Sequence, residues 1–312
     1  MYNKKIYLAS VISALAKEGG SHSREYIFVD DGSTDHTLLA LNTLKRKLPG
    51  SVRIISRANM GASYSTNEAV LMARGYWIRL LDGDDLIAYG STEKMFRLAK
   101  QKKEEFVYGL IYENKITDNQ TSRDNYVLQT NKEGLRKFIR NCPANSSCIF
   151  LSVKRFLISG GCDQTFVSPD QMLFLRLFSS GKGVFLKEIV AKMPNIQSDK
   201  SLSKQIRRSR YESILALIKF CEENNDTLAT LKKIAFKRAL SRAHNYNRLL
   251  NKQFISVHYI KYLISKFYFS KNYINLMYDS LKVFTNTSYT RKKNWRTGFE
   301  KKLTSKIQIR EY

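Results

Sequence analysis

The chain has 312 residues, of which 53 are Lys or Arg and 27 are Asp or Glu, so its formal net charge is +26. Hydrophobic residues make up 43% and aromatic residues 12% of it, which excludes a disordered protein because disordered chains lack the apolar side chains of a core. The four cysteines include no CxxC pair, so we expect reduced thiols and neither a zinc module nor a disulfide scaffold. No secretory leader and no apolar run of about 20 residues is found, so we expect a soluble, cytoplasmic chain.

The apolar pattern predicts strands that alternate with helices in the first half of the chain. In chain order it predicts a helix around Leu8–Leu15, a strand at Tyr26–Val29, a helix around Leu38–Leu48, a strand at Val52–Ile55, a helix at Ala62–Arg74 and a strand at Tyr76–Leu81. Such alternation is typical of an α/β domain with a mainly parallel sheet flanked by helices.

The pattern changes near residue 200, where we place a domain boundary between residues 1–200 and 201–312. Glycine almost disappears beyond it, and the stretch from Tyr211 to Tyr289 has the spacing of several basic, aromatic-rich helices. We expect a poorly ordered basic tail from Thr290 onward.

The positive charge is concentrated in this carboxyl-terminal part. From Lys200 to Tyr312 there are 25 Lys or Arg and 7 Asp or Glu. Three interpretations are open: an element that binds an anionic membrane surface, which we favour, an ordinary helical subdomain with solvated lysines, and a nucleic-acid-binding region, which is the least favoured.

Two predicted strands end in acidic, glycine-containing turns. Tyr26–Val29 runs into Asp30-Asp31-Gly32-Ser33, and Tyr76–Leu81 runs into Asp82-Gly83-Asp84-Asp85. Ligands of open α/β sheets bind beyond the carboxyl ends of the strands, so these turns are candidate binding residues. The dinucleotide fingerprint GxGxxG and the phosphate-binding GxxxxGK[ST] follow neither strand.

Each acidic turn also has a purely structural interpretation. Asp82 and Asp84 offer oxygen ligands to Mg²⁺ together with substrate phosphates, but Asp and Gly also favour solvated turns. Ser33 can cap a helix, while Asp30 and Asp31 can hydrogen-bond a nucleoside. The triplet Asn145-Ser146-Ser147 matches a glycosylation sequon, which we interpret as a chance match.

Taken in order, the motifs resemble those of the family 2 glycosyltransferases of the GT-A fold. The resemblance covers about the first 200 residues and is carried by Tyr26–Thr37, by Asn59-Met60-Gly61 with Asn67, by Gly75–Asp85, and by Gly160–Asp163 through Asp170 to Leu177. It implies a Rossmann-like, mainly parallel sheet flanked by helices, followed here by the basic helical region.

The resemblance also implies an activity, which is the metal-assisted transfer of a sugar from a nucleotide-sugar donor, a UDP-sugar by analogy, to an acceptor hydroxyl with inversion. Asp170 would be the general base, although a helix N-terminal position alone could explain an aspartate there. Asp82 and Asp84 would hold Mn²⁺ or Mg²⁺. The implied nucleotide-sugar site consists of Tyr2, Asn3, Asp30, Asp31, Ser33, Asn59, Gly61, Asn67, Asp82 and Gly83.

The family analogy further implies a role in cell-surface glycan synthesis, such as lipopolysaccharide or capsule. The acceptor would be a glycan or a glycolipid, and the enzyme would lie in the cytoplasm or at the inner face of the plasma membrane. Nucleic acid is not expected as a partner.

The sequence departs from the family pattern at four places. Pro169-Asp170 stands where the family has Glu-Asp, Thr66 stands where it has Arg, and Asn195-Ile196-Gln197 replaces an Arg-x-His-like stretch. The family's first apolar strand would precede Tyr2-Asn3, so we expect that strand to be missing from the chain as written. An inactive, truncated relic of a transferase is therefore the alternative to a working enzyme.

Overall fold

A computed structural model describes residues 1–112, 125–194, 206–224, 229–250, 252–267 and 271–284. The amino-terminal elements are α1 (Lys5–Lys17), β1 (Glu25–Asp30), α2 (Thr37–Leu44), β2 (Ser51–Ser56), α3 (Ala62–Met72), β3 (Trp77–Arg79), β4 (Leu86–Ile87), α4 (Ser91–Lys102) and β5 (Phe106–Tyr112). They are followed by β6 (Tyr126–Gln129), α5 (Asn131–Arg140), β7 (Ile149–Ser152), α6 (Val153–Ile158), α7 (Asp170–Ser179) and β8 (Gly183–Lys192). The carboxyl-terminal helices are α8 (Ile206–Glu223), α9 (Ala229–Leu250), α10 (Val257–Phe267) and α11 (Tyr273–Ser280).

The expected α/β architecture is confirmed, with helices where the apolar spacing predicted them. Leu8, Val11 and Ile12 are buried on one face of α1, as the helical period requires. The helix predicted to run to Leu48 ends as α-helix at Leu44 and continues as a short 3₁₀ turn. The strand predicted at Tyr76–Leu81 is shorter in the structure, where β3 has three residues.

The strands form two sheets. β1 and β2 pair in parallel as a two-stranded sheet, and the larger sheet has the order β3-β7-β5-β8-β4, with β6 also paired to β8. Within the larger sheet β5 and β8 are parallel, whereas β7 runs antiparallel to both β3 and β5. The sheet is thus mixed rather than mainly parallel. Apolar runs report the burial of a strand and carry no information about its direction.

The carboxyl-terminal helices share the core of the larger sheet. Ile214 and Phe220 of α8 are fully buried in the same apolar cluster as Phe106 of β5. Arg176 of α7 adds a two-pronged ion pair to Glu223 of α8, with nitrogen–oxygen distances of 2.6 and 3.0 Å. The predicted basic helices are therefore packed against the α/β part. The boundary predicted near residue 200 and the tail predicted from Thr290 lie outside the described residues.

No helix within the described ranges is long and apolar enough to cross a membrane.

Met1 is hydrogen-bonded to the edge of β1 that is not paired with β2. Its amino group donates to the Val29 carbonyl at 2.5 Å, and the Asp31 N–H donates to the Met1 carbonyl at 2.8 Å. These two bonds follow the pattern of a parallel ladder in which Met1 lies opposite Asp30. Beyond Met1, a gap that is lined by residues 25–29 on one side and residues 79–81 on the other separates the two sheets.

The gap between the sheets allows a prediction for a chain that is extended before Met1. We expect an extension of about six alternating apolar residues to raise the thermal unfolding midpoint, because it would pair with the open edge of β1 and bury apolar surface. A matched extension with proline at alternate positions cannot complete the ladder and serves as the control. Equal melting temperatures for the two extended chains would show that the gap does not accept a strand.

Candidate active site

The candidate site is a cleft that is part of a cavity of about 1410 Å³, which also includes the gap between the two sheets. It lies beyond the ends of β1 and β3 and is bounded by the Asp82–Asp85 turn, the start of α7, and residues of α8 and α9. Two elements far apart in sequence therefore bring carboxylates to one cavity: the turn after β3 and the first residue of α7.

Ser146 holds the two most separated of these carboxylates together. Its hydroxyl donates to Oδ1 of Asp82 at 2.9 Å, and its backbone N–H donates to Oδ1 of Asp170 at 2.8 Å. The Asp82 N–H in turn donates to the hydroxyl of Ser147 at 2.9 Å. The segment 145–147 thus fixes the acidic turn relative to α7 through neutral donors.

The remaining carboxylates of the turn have different partners. Asp85 is buried, and its Oδ2 accepts a hydrogen bond from the Asn145 amide at 2.8 Å. Asp84 forms an ion pair with the Lys4 ammonium, which comes from the start of the chain. Lys4 thereby supplies one positive charge to an otherwise strongly acidic wall.

Burial and repulsion between carboxylates raise the pKa values of Asp82, Asp85 and Asp170. The pKa of Asp170 is raised to about 7, first by burial and then by the charge of Asp82. Burial also raises the pKa of Asp82, with a further contribution from Asp84. Closely spaced acids with raised pKa values are characteristic of catalytic and cation-binding sites.

Asp31 is used mainly to organise the backbone beside the cleft. Its carboxylate accepts the N–H groups of Met60 and Gly61, at 2.7 and 2.8 Å, and pairs with Arg57. It therefore satisfies the N–H groups of the two residues that lead into α3. Asn59 supports the same turn by donating to the Asp31 carbonyl at 2.9 Å.

Asp30 is buried, and its carboxylate is only partly satisfied. Oδ2 accepts a hydrogen bond from the Ser56 hydroxyl at 3.0 Å, while Oδ1 has no hydrogen-bond partner in the described part of the chain. Buried polar atoms without a partner are rare in folded proteins. Oδ1 is thus a buried acceptor without a partner among the described residues.

Two other predicted residues make contacts that stabilise the protein itself. The Asn3 side chain accepts from the Thr34 N–H at 2.8 Å, and the Asn3 N–H donates to the Ser33 hydroxyl at 3.0 Å. Asn67 is buried and exchanges two hydrogen bonds with the backbone of Cys162, at 2.8 and 2.9 Å. The bonds of Asn3 join the first acidic turn to the start of the chain, and the bonds of Asn67 join α3 to the loop before α7.

The structure brings most of the predicted site residues to one cavity. Those that line the cleft are Tyr2, Asn3, Asp31, Asn59, Gly61, Asp82, Gly83, Asp84 and Asp170. Asp30, Ser33 and Asn67 lie behind its wall rather than on it. Their assignment to nucleotide-sugar binding remains a prediction.

Sequence reasoning missed the residues that link the two acidic elements. Asn145 and Ser146 were interpreted only as a chance sequon, and Lys4 was not considered. These residues lie at the amino end of β7, which reaches the carboxyl end of β3 because β7 runs antiparallel to it, and the sequence does not reveal that direction.

The donor set of the acidic turn fits a hard divalent cation. Asp82 and Asp84 present carboxylate oxygens on the cleft wall, where burial and then the charge of Asp84 raise the pKa of Asp82. No group of three or more His, Cys, Asp or Glu within the described ranges forms a ready metal cage. A cation held by these two aspartates would need further ligands from a bound substrate.

Comparison with known proteins supplies the family context. The sequence profile described as Glycosyl transferase family 2 matches residues 1–158. The minor teichoic acid biosynthesis protein GgaB of Bacillus subtilis is 27% identical over 106 residues, which are 34% of this chain and 12% of that protein. The chain thus spans only a small part of such relatives.

Solved structures show the same fold. The S. aureus TarS 1–349 structure in complex with UDP-GlcNAc superposes with a TM-score of 0.63 at 13% identity, covering 100% of this chain and 90% of that one. The mannosyltransferase PcManGT from Pyrobaculum calidifontis, in complex with GDP-Man and Mn²⁺, gives a TM-score of 0.57 at 12% identity, covering 100% and 86%. At these identities the similarity establishes the GT-A architecture.

The raised pKa of Asp170 predicts a pH-dependent change in stability. The ordinary pKa of an aspartate is 3.8, and the pKa of Asp170 in the folded protein is about 7. Between about pH 4 and about pH 7 the ionisation of Asp170 therefore destabilises the folded state increasingly as the pH rises. In metal-free buffer we expect Asp170→Asn to raise the unfolding midpoint by roughly 2 °C or more at pH 8, and to leave it unchanged below about pH 4.

Asp35→Asn is the matched control for this measurement. The hydroxyl and N–H of Thr37 hydrogen-bond the Asp35 carboxylate and lower its pKa, so its ionised form stabilises the fold. This variant is expected to lose stability at neutral pH. A stability change of the same sign in both variants would contradict the assigned electrostatics.

Proposed function

The chain belongs to glycosyltransferase family 2, and we propose that it transfers a sugar from a UDP-sugar to an acceptor hydroxyl with inversion at the anomeric carbon. The observation that carries the proposal is the junction of Asp82 and Asp170 through Ser146 on one wall of the cleft. A cation-binding turn and a candidate base, 88 positions apart in the numbering, are thereby held beside one cavity.

Asp170 is the proposed general base. It removes the proton of the acceptor hydroxyl as that oxygen bonds to the anomeric carbon, while the bond between this carbon and the diphosphate oxygen breaks and UDP leaves. Its pKa of about 7 suits this role, because a base is most effective when its pKa is close to the working pH. The Ser146 N–H orients the carboxylate by bonding one of its two oxygens.

The turn after β3 is the proposed site of the donor diphosphate. Asp82 and Asp84 would hold Mn²⁺ or Mg²⁺ there, and when bound such a cation neutralises charge on the leaving diphosphate. Lys4 ion-pairs with Asp84 and can contribute positive charge at the same place. Support comes from a structure of similar fold that contains GDP-Man and Mn²⁺.

The first acidic turn is the proposed nucleoside site. Asp31, Asn59 and Gly61 line the cleft on that side, and Tyr2 and Asn3 lie beside them. We assign UDP as the nucleotide because a UDP-GlcNAc complex is among the structures of similar fold. The named relative in teichoic acid biosynthesis supports a role in making bacterial cell-surface glycans, with a glycan or glycolipid as acceptor.

The helix α10 supports the proposed peripheral attachment to the inner membrane face. Ile260 and Ile264 on α10, and Phe254 and Ile255 just before it, are each more than half exposed. Exposed lysines, including Lys266, lie beside them. Apolar side chains flanked by lysines suit insertion into an anionic lipid surface.

Separate substitutions distinguish the base from the cation site. We expect Asp170→Asn to bind UDP and Mn²⁺ with unchanged affinity and to lose sugar transfer by a factor of at least about 100, because only proton removal is lost. Asp84→Ala should instead weaken the Mn²⁺-dependent part of UDP binding, as measured by calorimetric titration. Transfer that persists in Asp170→Asn would remove Asp170 from the role of base.

Vesicle flotation tests the membrane proposal. The full chain is expected to float with vesicles rich in phosphatidylglycerol and not with neutral ones, and the variant with Ile255, Ile260 and Ile264 changed to serine should stay behind. Leu39→Ser removes an equally exposed apolar residue from α2 and is the control. Unchanged flotation of the triple variant, or a shift of oligonucleotides by the chain in place of flotation, would contradict the proposal.

A further inference from the structure

Three arginines from the carboxyl-terminal helices line the same cavity as the acidic turn. Arg210 of α8, and Arg238 and Arg242 of α9, are part of its wall. Arg242 is only 7% exposed. Burying a guanidinium is unfavourable unless its charge is compensated, so this arrangement needs an explanation.

The partners of these arginines in the protein are neutral. Arg242 donates to Oε1 of Gln171 at 3.1 Å and to the Ser213 carbonyl at 2.6 Å, and Arg238 donates to Oδ1 of Asn141 at 3.1 Å. Within the described ranges none of the three arginines forms an ion pair. Nε of Arg238 is buried and has no hydrogen-bond partner among the same residues.

Glu212, the acidic residue nearest to Arg210 along α8, already has other partners. The Glu212 carboxylate accepts the N–H groups of Val167 and Ser168, at 3.0 and 2.9 Å, and pairs with Arg208 at 3.1 Å. The positive charges also influence one another, because burial and the charges of Arg238 and Arg210 lower the pKa of Arg242 to about 10. Among the described residues, the three arginines therefore have no acidic partner.

We propose that Arg210, Arg238 and Arg242 bind a phosphate group of the sugar acceptor. Guanidinium groups match the oxygens of phosphate with paired, charge-assisted hydrogen bonds, and three of them can surround one such group. The cluster adjoins the proposed base, since Arg242 bonds Gln171, the residue that follows Asp170 on α7. The donor diphosphate is assigned to the acidic turn, so a phosphate held by the arginines belongs to the acceptor.

This inference rests on the proposed transferase function and determines the chemical class of its acceptor. Anchoring a phosphate on α8 and α9 would position an acceptor hydroxyl at Asp170. Neutral oligosaccharides would lack this anchor and would be poor acceptors.

The test is a calorimetric titration of sn-glycerol 3-phosphate into the full chain saturated with UDP and Mg²⁺. With the donor site filled, binding is expected in the wild type and should weaken by about tenfold or more in Arg238→Gln and in Arg242→Gln. Arg248→Gln removes an exposed arginine from the same helix, away from the cleft, and should leave the affinity unchanged. UDP affinity should be the same in all four proteins.

Each contrary result identifies what has failed. A wild type that does not bind UDP contradicts the proposed function. A wild type that binds UDP but not glycerol phosphate, or an equal loss in Arg248→Gln, overturns the phosphate site alone. If Arg242→Gln lowers the melting temperature of the protein, Arg238→Gln provides the test instead, because Arg238 is only half-buried.

Two further probes distinguish the sources of the phosphate. Glycerophosphoglycerol has the phosphodiester of a polymer, and geranyl pyrophosphate has the pyrophosphate of a lipid carrier. Arginine-dependent binding of either supports the site and identifies the acceptor type. Binding of lactate as tight as that of both probes would overturn the assignment to phosphate.

Discussion

The pair of hydrogen bonds from Ser146 to Asp82 and Asp170 is the contact on which the account of this cleft depends. These bonds join the turn after β3 to the first residue of α7. The larger sheet and the helix packed against it therefore present their carboxylates to the same cleft. Because the donors are neutral, the negative charge is concentrated rather than cancelled. Burial raises the pKa values of both Asp82 and Asp170, and the charges of neighbouring carboxylates raise them further.

The cleft is divided by charge. Its acidic wall, formed by residues 82–85, suits a cation and a diphosphate, and its basic wall, formed by α8 and α9, suits an anion. Asp170 adjoins both walls, through Ser146 on one side and through its neighbour Gln171 on the other. This arrangement links the two unusual features of the sequence, the acidic strand ends and the basic carboxyl-terminal part, to a single reaction.

The sequence allowed prediction of the alternating elements and of the two acidic turns, because helical periods and strand-end motifs are local properties. Strand direction was not predictable in this way, and the sheet proved mixed, since β7 shows the same apolar run whichever way it is oriented. The roles of Asn145, Ser146 and Arg242 depend on contacts with residues distant in sequence. Asp31 and Asn67 matched the family motifs, yet their hydrogen bonds are used largely within the fold.

Diffraction from crystals of the full chain grown with UDP and Mn²⁺, with anomalous scattering measured for manganese, tests the central claim most directly. The account predicts one manganese peak between the carboxylates of Asp82 and Asp84, with the diphosphate of UDP beside it and Asp170 facing the open part of the cleft. Manganese bound elsewhere, or UDP bound with its diphosphate on the arginines of α8 and α9, would contradict the division of the cleft into a donor wall and an acceptor wall.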